Sequence, residues 1–212
     1  MNLKTLIIQP KEYFKDFKAD EYENKKPIKL RYLFLALIAI SALSLLVMNL
    51  MIPDYLEKIG SAGAAVDAET LEFVKTVSKV SMWVGGTVGI LIWAWICVNV
   101  LYFVTKIFMG FVEKDEIKDK KYFKSLLYFR FTIFYIVSGT LTIISTIILR
   151  DMNLVQIASS INSILIKLWA AYFLYGILKY YLQTKKLHKI LPTILYIITL
   201  IFAIKDIVEA ML

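Results

Sequence analysis

Residues 32–53 and 80–105 contain no charged side chain. A helix rises about 1.5 Å per residue, so about 20 such residues cross the ~30 Å hydrocarbon core of a bilayer. Uncharged runs of this length exclude a soluble fold and make the chain a polytopic membrane protein. Composition agrees: 59% of the 212 residues are hydrophobic and the mean hydropathy is +0.66, against about 45–50% apolar residues in soluble domains.

The alternation of apolar runs with short charged ones predicts an all-α protein with five transmembrane helices, at about 32–52, 82–105, 126–149, 161–182 and 190–209. Residues 1–30 form a separate N-terminal segment, and residues 31–212 form the membrane domain. The stretch 68–79 has a helical rhythm and leads into the second span, whereas 113–124 reads as a solvated mixed-charge turn. Lys and Arg in the short segments number eight in 1–31, three in 54–80, six in 106–125, one in 150–160 and three in 183–189. Basic residues accumulate on the cytoplasmic side, so the N-terminus is expected in the cytoplasm of a multi-pass plasma-membrane protein, and the C-terminus outside.

In the N-terminal segment, Pro10 suits the first turn of a helix. Tyr13, Phe14 and Phe17 then share one side, and Lys11, Lys15 and Lys18 another. That pattern predicts an amphipathic interfacial helix, its aromatics in the bilayer and its lysines on anionic lipid phosphates. The net charge of +8 (25 Lys and Arg against 17 Asp and Glu) therefore reads as topology and lipid contact, not nucleic-acid binding.

A single cysteine, Cys97, excludes a disulfide framework or a Cys-x-x-Cys site, and a single histidine, His188, excludes a multi-histidine metal centre. The chain has no Walker A loop, Gly-x-Ser-x-Gly elbow or His-Glu-x-x-His motif. No cofactor, no metal and no enzymatic activity are expected. His188 reads as a loop residue near lipid head groups.

The polar and small residues inside the spans are the remaining candidates. Gly85, Gly86 and Gly89 form G-G-x-x-G, which serves either as a dimer seam or as packing against another span of the same chain. Ser138, Thr142 and Ser145 share a face of span three; Ser160, Ser163 and Lys167, with Asn162 beside them, share one of span four. Such faces line a solute path or form interhelical hydrogen bonds. Arg130 and Lys167 are the intramembrane charges, and such residues are functional candidates by default. Arg130 is close enough to the boundary to snorkel. Lys167 and Asp206 fall at similar depth on consecutive antiparallel spans, which predicts an ion pair.

The layout resembles a known family. Pro10-Lys11-Glu12-Tyr13-Phe14-Lys15-Asp16-Phe17 precedes five spans, and span two carries glycines before an aliphatic–aromatic stretch ending at Lys106. Span three opens around Tyr128 and Phe131. Span four contains Lys167-Leu168-Trp169, Tyr172 and Tyr175-Gly176, and Lys185-Lys186 follows it. Over nearly its whole length the chain is similar to the Yip family of Ypt/Rab-interacting membrane proteins, in its bacterial form. The resemblance implies five helices, a cytosolic N-terminus, no catalytic chemistry, and Trp169 and Gly176 as packing residues. Eukaryotic members act with Rab GTPases in vesicle traffic, and some bacterial members are associated with ABC exporters and protection against toxic peptides. An accessory or scaffold protein of a membrane complex is thus the leading expectation, with a membrane-protein partner or a second copy of the chain. A small transporter using spans three and four, and a membrane-remodelling protein, are the alternatives.

Overall fold

A computed structural model describes residues 29–51, 68–117 and 119–211, together with Gln9 and Glu12. Tyr13, Phe14 and Phe17, expected on an interfacial helix, lie outside the described residues, as does Asn2. Among the described residues the secondary structure is helical throughout, and five helices are long and apolar enough to cross a membrane.

Helix α1 spans Leu30–Met51 and buries Leu33, Leu37 and Ser41, one per turn along a single face. Helix α2 spans Ala68–Phe108 without a break. At 41 residues it is about 60 Å long, roughly twice the hydrocarbon thickness. The helical rhythm at 68–79 thus continues directly into the span. One π-helical turn, Met109–Glu113, extends α2 and is ended by Lys114 in the left-handed conformation (φ 56°).

Helix α3 spans Lys120–Leu149, six residues earlier than the uncharged run suggested. The reason is local. Asp119 Oδ1 accepts the Tyr122 N–H at 2.9 Å and caps the helix there. Lys120 and Lys121 then sit on the exposed side of an otherwise buried first turn. Arg150 ends α3 in the left-handed conformation, and its N–H bonds the Thr146 carbonyl. Asp151 Oδ1 accepts the Leu154 N–H at 3.0 Å and starts α4, Met152–Gly176. Only Arg150 and Asp151 therefore separate the two helices, and α4 begins nine residues before the expected boundary. A second π turn, Ile177–Tyr181, extends α4. Helix α5 spans Leu187–Met211 with Pro192 inside it.

Helix α3 is the hub: it packs on α1, α2 and α4, while α1 also packs on α2. Among the described residues α5 packs along α4 and meets the rest of the bundle mainly at its base, where the two π turns lie. The densest core is at this same end. Phe123, Leu126, Leu174, Ile177, Leu178 and Leu187 are fully buried there, and Tyr181 stacks on Phe123 (centroids 6.3 Å apart). Tyr122 closes the cluster from the side, 5.4 Å from the Tyr181 ring. The loops at 114–119 and 182–186 are at this end, hereafter the basic end.

Candidate functional site

The basic end is organised by Glu113, which the π turn carries out from α2 toward the start of α5. No Ser, Thr, Asp or Asn stands directly before Leu187 to cap that helix. Glu113 supplies the cap from 74 residues away. Its Oε2 accepts the Lys185 N–H at 2.8 Å, and its Oε1 accepts those of Lys186 and Leu187, both at 2.7 Å. A helix N-terminus presents unpaired N–H groups and a partial positive charge, and a carboxylate answers both.

Thr184 completes the accounting. Its Oγ1 accepts the His188 N–H at 3.1 Å and donates to the Leu178 carbonyl at 3.1 Å. Four consecutive amides, 185 to 188, are thereby satisfied by two side chains. Thr184 Oγ1 also lies 3.2 Å from His188 Nδ1, the spacing of a hydroxyl–imidazole dyad, but the protons run the wrong way for catalysis. The Thr184 carbonyl oxygen, 2.8 Å from Nδ1, can only accept, so Nδ1 carries the hydrogen. It cannot take the proton of the hydroxyl, and the pair is a helix cap.

His188 is therefore not on a loop but in the first turn of α5. Only 6% of it is exposed, and its ring meets Tyr175 edge-on at 5.2 Å. The sequence reading failed because α5 starts at Leu187, three residues before its uncharged run, and the ring turns onto α4. Tyr175 in turn accepts a hydrogen bond from Lys179 Nζ at 2.7 Å. Above His188, α4 and α5 line an open groove of about 530 Å³. Leu168, Ala171, Tyr172 and Tyr175 form one wall; His188, Lys189, Pro192, Thr193 and Tyr196 form the other.

The residues singled out in the sequence are dispersed. Arg130 does not reach back to the boundary: its Nε donates to the Ala170 carbonyl on α4 at 3.0 Å. It is eleven residues into α3, about 15 Å from the helix start. Lys167, Asn162 and Ser163 are half-buried on α4. The side chain of Asp206 lies outside the described residues, and so does its pairing with Lys167. Gly86 faces α1, where an added Cβ would come 2.6 Å from Leu45 Cδ1, and its carbonyl accepts the Ser41 hydroxyl at 2.7 Å. Gly85 and Gly89 face away, with nothing among the described residues within 4 Å of a built Cβ. Trp169 meets Phe134 edge-on at 4.7 Å, and Gly176 is buried where α4 passes into its π turn.

Sequence reasoning missed three groups. Glu113 was assigned to a solvated turn, and nothing local marks it as a cap; the one usable signal was the missing cap before Leu187. Thr184 was similarly unremarked. Asn99, the third, bridges α2 and α3: its Nδ2 donates to the Trp95 carbonyl at 2.8 Å, and its Oδ1 accepts from Lys124 Nζ at 2.9 Å. Lys124 also lies over the Tyr102 ring, 4.6 Å from its centroid.

Among the described residues no cluster of His, Cys, Asp and Glu could hold a metal ion. Five apolar helices, fastened at one end by a carboxylate on backbone amides, define a multi-pass helical membrane protein. Residues 4–204 match the Yip1 domain, and the chain belongs to that family, whose members are not known as enzymes. No curated protein and no solved structure matches the chain.

Proposed function

We propose that this chain is a non-enzymatic accessory or scaffold subunit of a bacterial plasma-membrane complex, such as an ABC exporter that protects against toxic peptides. The observation that carries the reading is a face of α2 that meets no other helix among the described residues. Gly85 and Gly89 leave open space beside the helix backbone, and Val84, Val88, Ile92, Trp93 and Ile96 around them are exposed. Lipid gives no hydrophobic reason for helices to associate, so close backbone approach at small residues is a main source of contact between them. Among the described residues Gly86 packs on α1, and a partner helix would approach at Gly85 and Gly89.

The test is capture of tagged chain in mild detergent, with bound proteins identified by mass spectrometry. The wild type should retain exporter subunits, and Gly85→Leu with Gly89→Leu should lose them while melting normally. Retention of only a second copy of the chain would replace the reading with a homo-oligomer. Solute uptake by the pure protein in liposomes, abolished by Lys167→Ala, would replace it with a transporter.

A further inference from the structure

We infer that the groove between α4 and α5 binds one anionic phospholipid with a hydroxyl-bearing headgroup, of the phosphatidylglycerol type. The groove has the polarity of a lipid along its length. Its upper walls are apolar or aromatic, at Leu168, Ala171 and Tyr196; its lower end holds His188 and Lys189. From His188 to Tyr196 the helix rises about 12 Å, close to the ~15 Å of one leaflet's hydrocarbon. Leu168 and Tyr172 are each 50% exposed, so an acyl chain enters sideways from the bilayer without crossing water. The volume of about 530 Å³ is in the ~300–1,000 Å³ range of small-molecule pockets.

The polar end selects the headgroup. Lys189 is exposed at the mouth, and Lys179 lies one turn below Tyr175, bonded to its phenol oxygen. Because Tyr175 accepts that proton, its own O–H remains to donate to a phosphate. His188 is nine-tenths buried and lines the groove. Its Nδ1 is committed as a donor to Thr184, so Nε2 is the ring atom left to meet a headgroup, as an acceptor when the ring carries one proton. No group among the described residues bonds it. A buried imidazole beside the Lys189 ammonium and the Tyr175 phenol fits a phosphate that carries a polyol. Phosphatidylcholine offers that nitrogen no donor, and among the described residues no carboxylate lines the groove to hold a cationic headgroup. Pro192 adds to the shape, since it has no N–H for the His188 carbonyl and keeps that turn open.

The experiment is native mass spectrometry of the full chain in maltoside, exposed to equimolar dioleoyl phosphatidylglycerol, phosphatidylethanolamine and phosphatidylcholine. Phosphatidylglycerol should be retained about fivefold over either zwitterionic lipid, the ~1 kcal/mol of one lysine near an anionic surface. Lys189→Gln should erase that preference, and Ala171→Phe should abolish retention by filling the cavity. Thr193→Phe fills it from the opposite wall should the first variant fail to fold. Equal retention of the three lipids overturns the proposal. So does a preference that survives both Lys189→Gln and the filling variants, or displacement of the lipid by glycerol phosphate alone, which would mean a phosphate site with no place for the chain. None of these outcomes depends on whether an exporter is captured.

Discussion

Glu113 accepts the amide proton of Leu187 at 2.7 Å, and this contact ties the end of α2 to the beginning of α5. Among the described residues α5 has α4 as its main neighbour along its length; its far residues Ile197, Ile201 and Phe202 are exposed to what would be lipid. The carboxylate therefore anchors the least supported helix at its base. It also fixes the 182–186 turn, and through Thr184 the ring of His188 in the groove.

Replacing Glu113 should accordingly loosen α5. Hydrogen bonds to charged groups contribute about 1.5–3 kcal/mol each, but water reaches this half-exposed carboxylate and can replace it in part. Glu113→Ala is expected to cost about 2 kcal/mol, and Glu113→Gln, which keeps one acceptor oxygen, about half as much. Unfolding of the detergent-solubilised protein by SDS titration measures both. An Ala variant as stable as the wild type would mean that water caps α5 equally well.

The glycines should separate by position. At Gly139 an added Cβ would lie 2.8 Å from Ile40 Cγ1 and 3.4 Å from Ser44 Oγ, with α1 close behind. Gly139→Val should cost roughly 1–3 kcal/mol, the usual penalty of overpacking. Gly86→Ala should cost less, because the Leu45 Cδ1 it meets is the tip of a flexible side chain. Gly85→Ala and Gly89→Ala meet nothing and should be neutral, or stabilising by up to about 1 kcal/mol through helix propensity. Thermal melts of the four single variants give the ranking, and a Gly85→Ala variant as damaged as Gly139→Val would refute it.

The five helices were legible in the sequence because their signal is local: an uncharged run is read without reference to any other part of the chain. Their ends were not, because a charge-free run and a helix stop for different reasons. Asp119 and Asp151 cap α3 and α4 several residues before the apolar runs begin, and Lys120 and Lys121 simply face outward. The junction at the basic end was illegible for a different reason. Glu113, Thr184 and His188 act through contacts that depend on how α2 and α4 leave their π turns, and no spacing rule joins residues 113 and 187.

Arg130 illustrates the limits of reading a buried charge as functional. No acid occurs in α1, α3 or α4, and its Nε bonds a helix carbonyl that already has an intrahelical donor position. Arg130→Met keeps most of the volume, loses one hydrogen bond and removes the cost of holding a charge out of water. Its stability should stay within about 1 kcal/mol of the wild type, while Arg130→Ala, which also leaves a void, should lose about 2 kcal/mol or more. SDS titration of the pair measures this. A Met variant as damaged as the Ala variant would show that the guanidinium itself holds α3 to α4.

Orientation in the bilayer underlies the lipid site. The loops at 114–119 and 182–186 share one end of the bundle, and the Arg150-Asp151 turn lies at the other. The first two segments are rich in lysine and the third has one basic residue, so the positive-inside rule predicts that the basic end faces the cytoplasm. With Cys97 replaced by Ala, Arg150→Cys should react with an impermeant thiol reagent on intact cells, and Gln183→Cys should react only after the membrane is opened. Both positions are exposed ends of helices, so accessibility reports the side of the membrane and not burial. A cysteine after Leu212 should label like position 150, and one at Asn2 like position 183. Reversed labelling would place the groove's lysines in the outer leaflet, where the anionic surface that raises the local supply of its lipid is weaker.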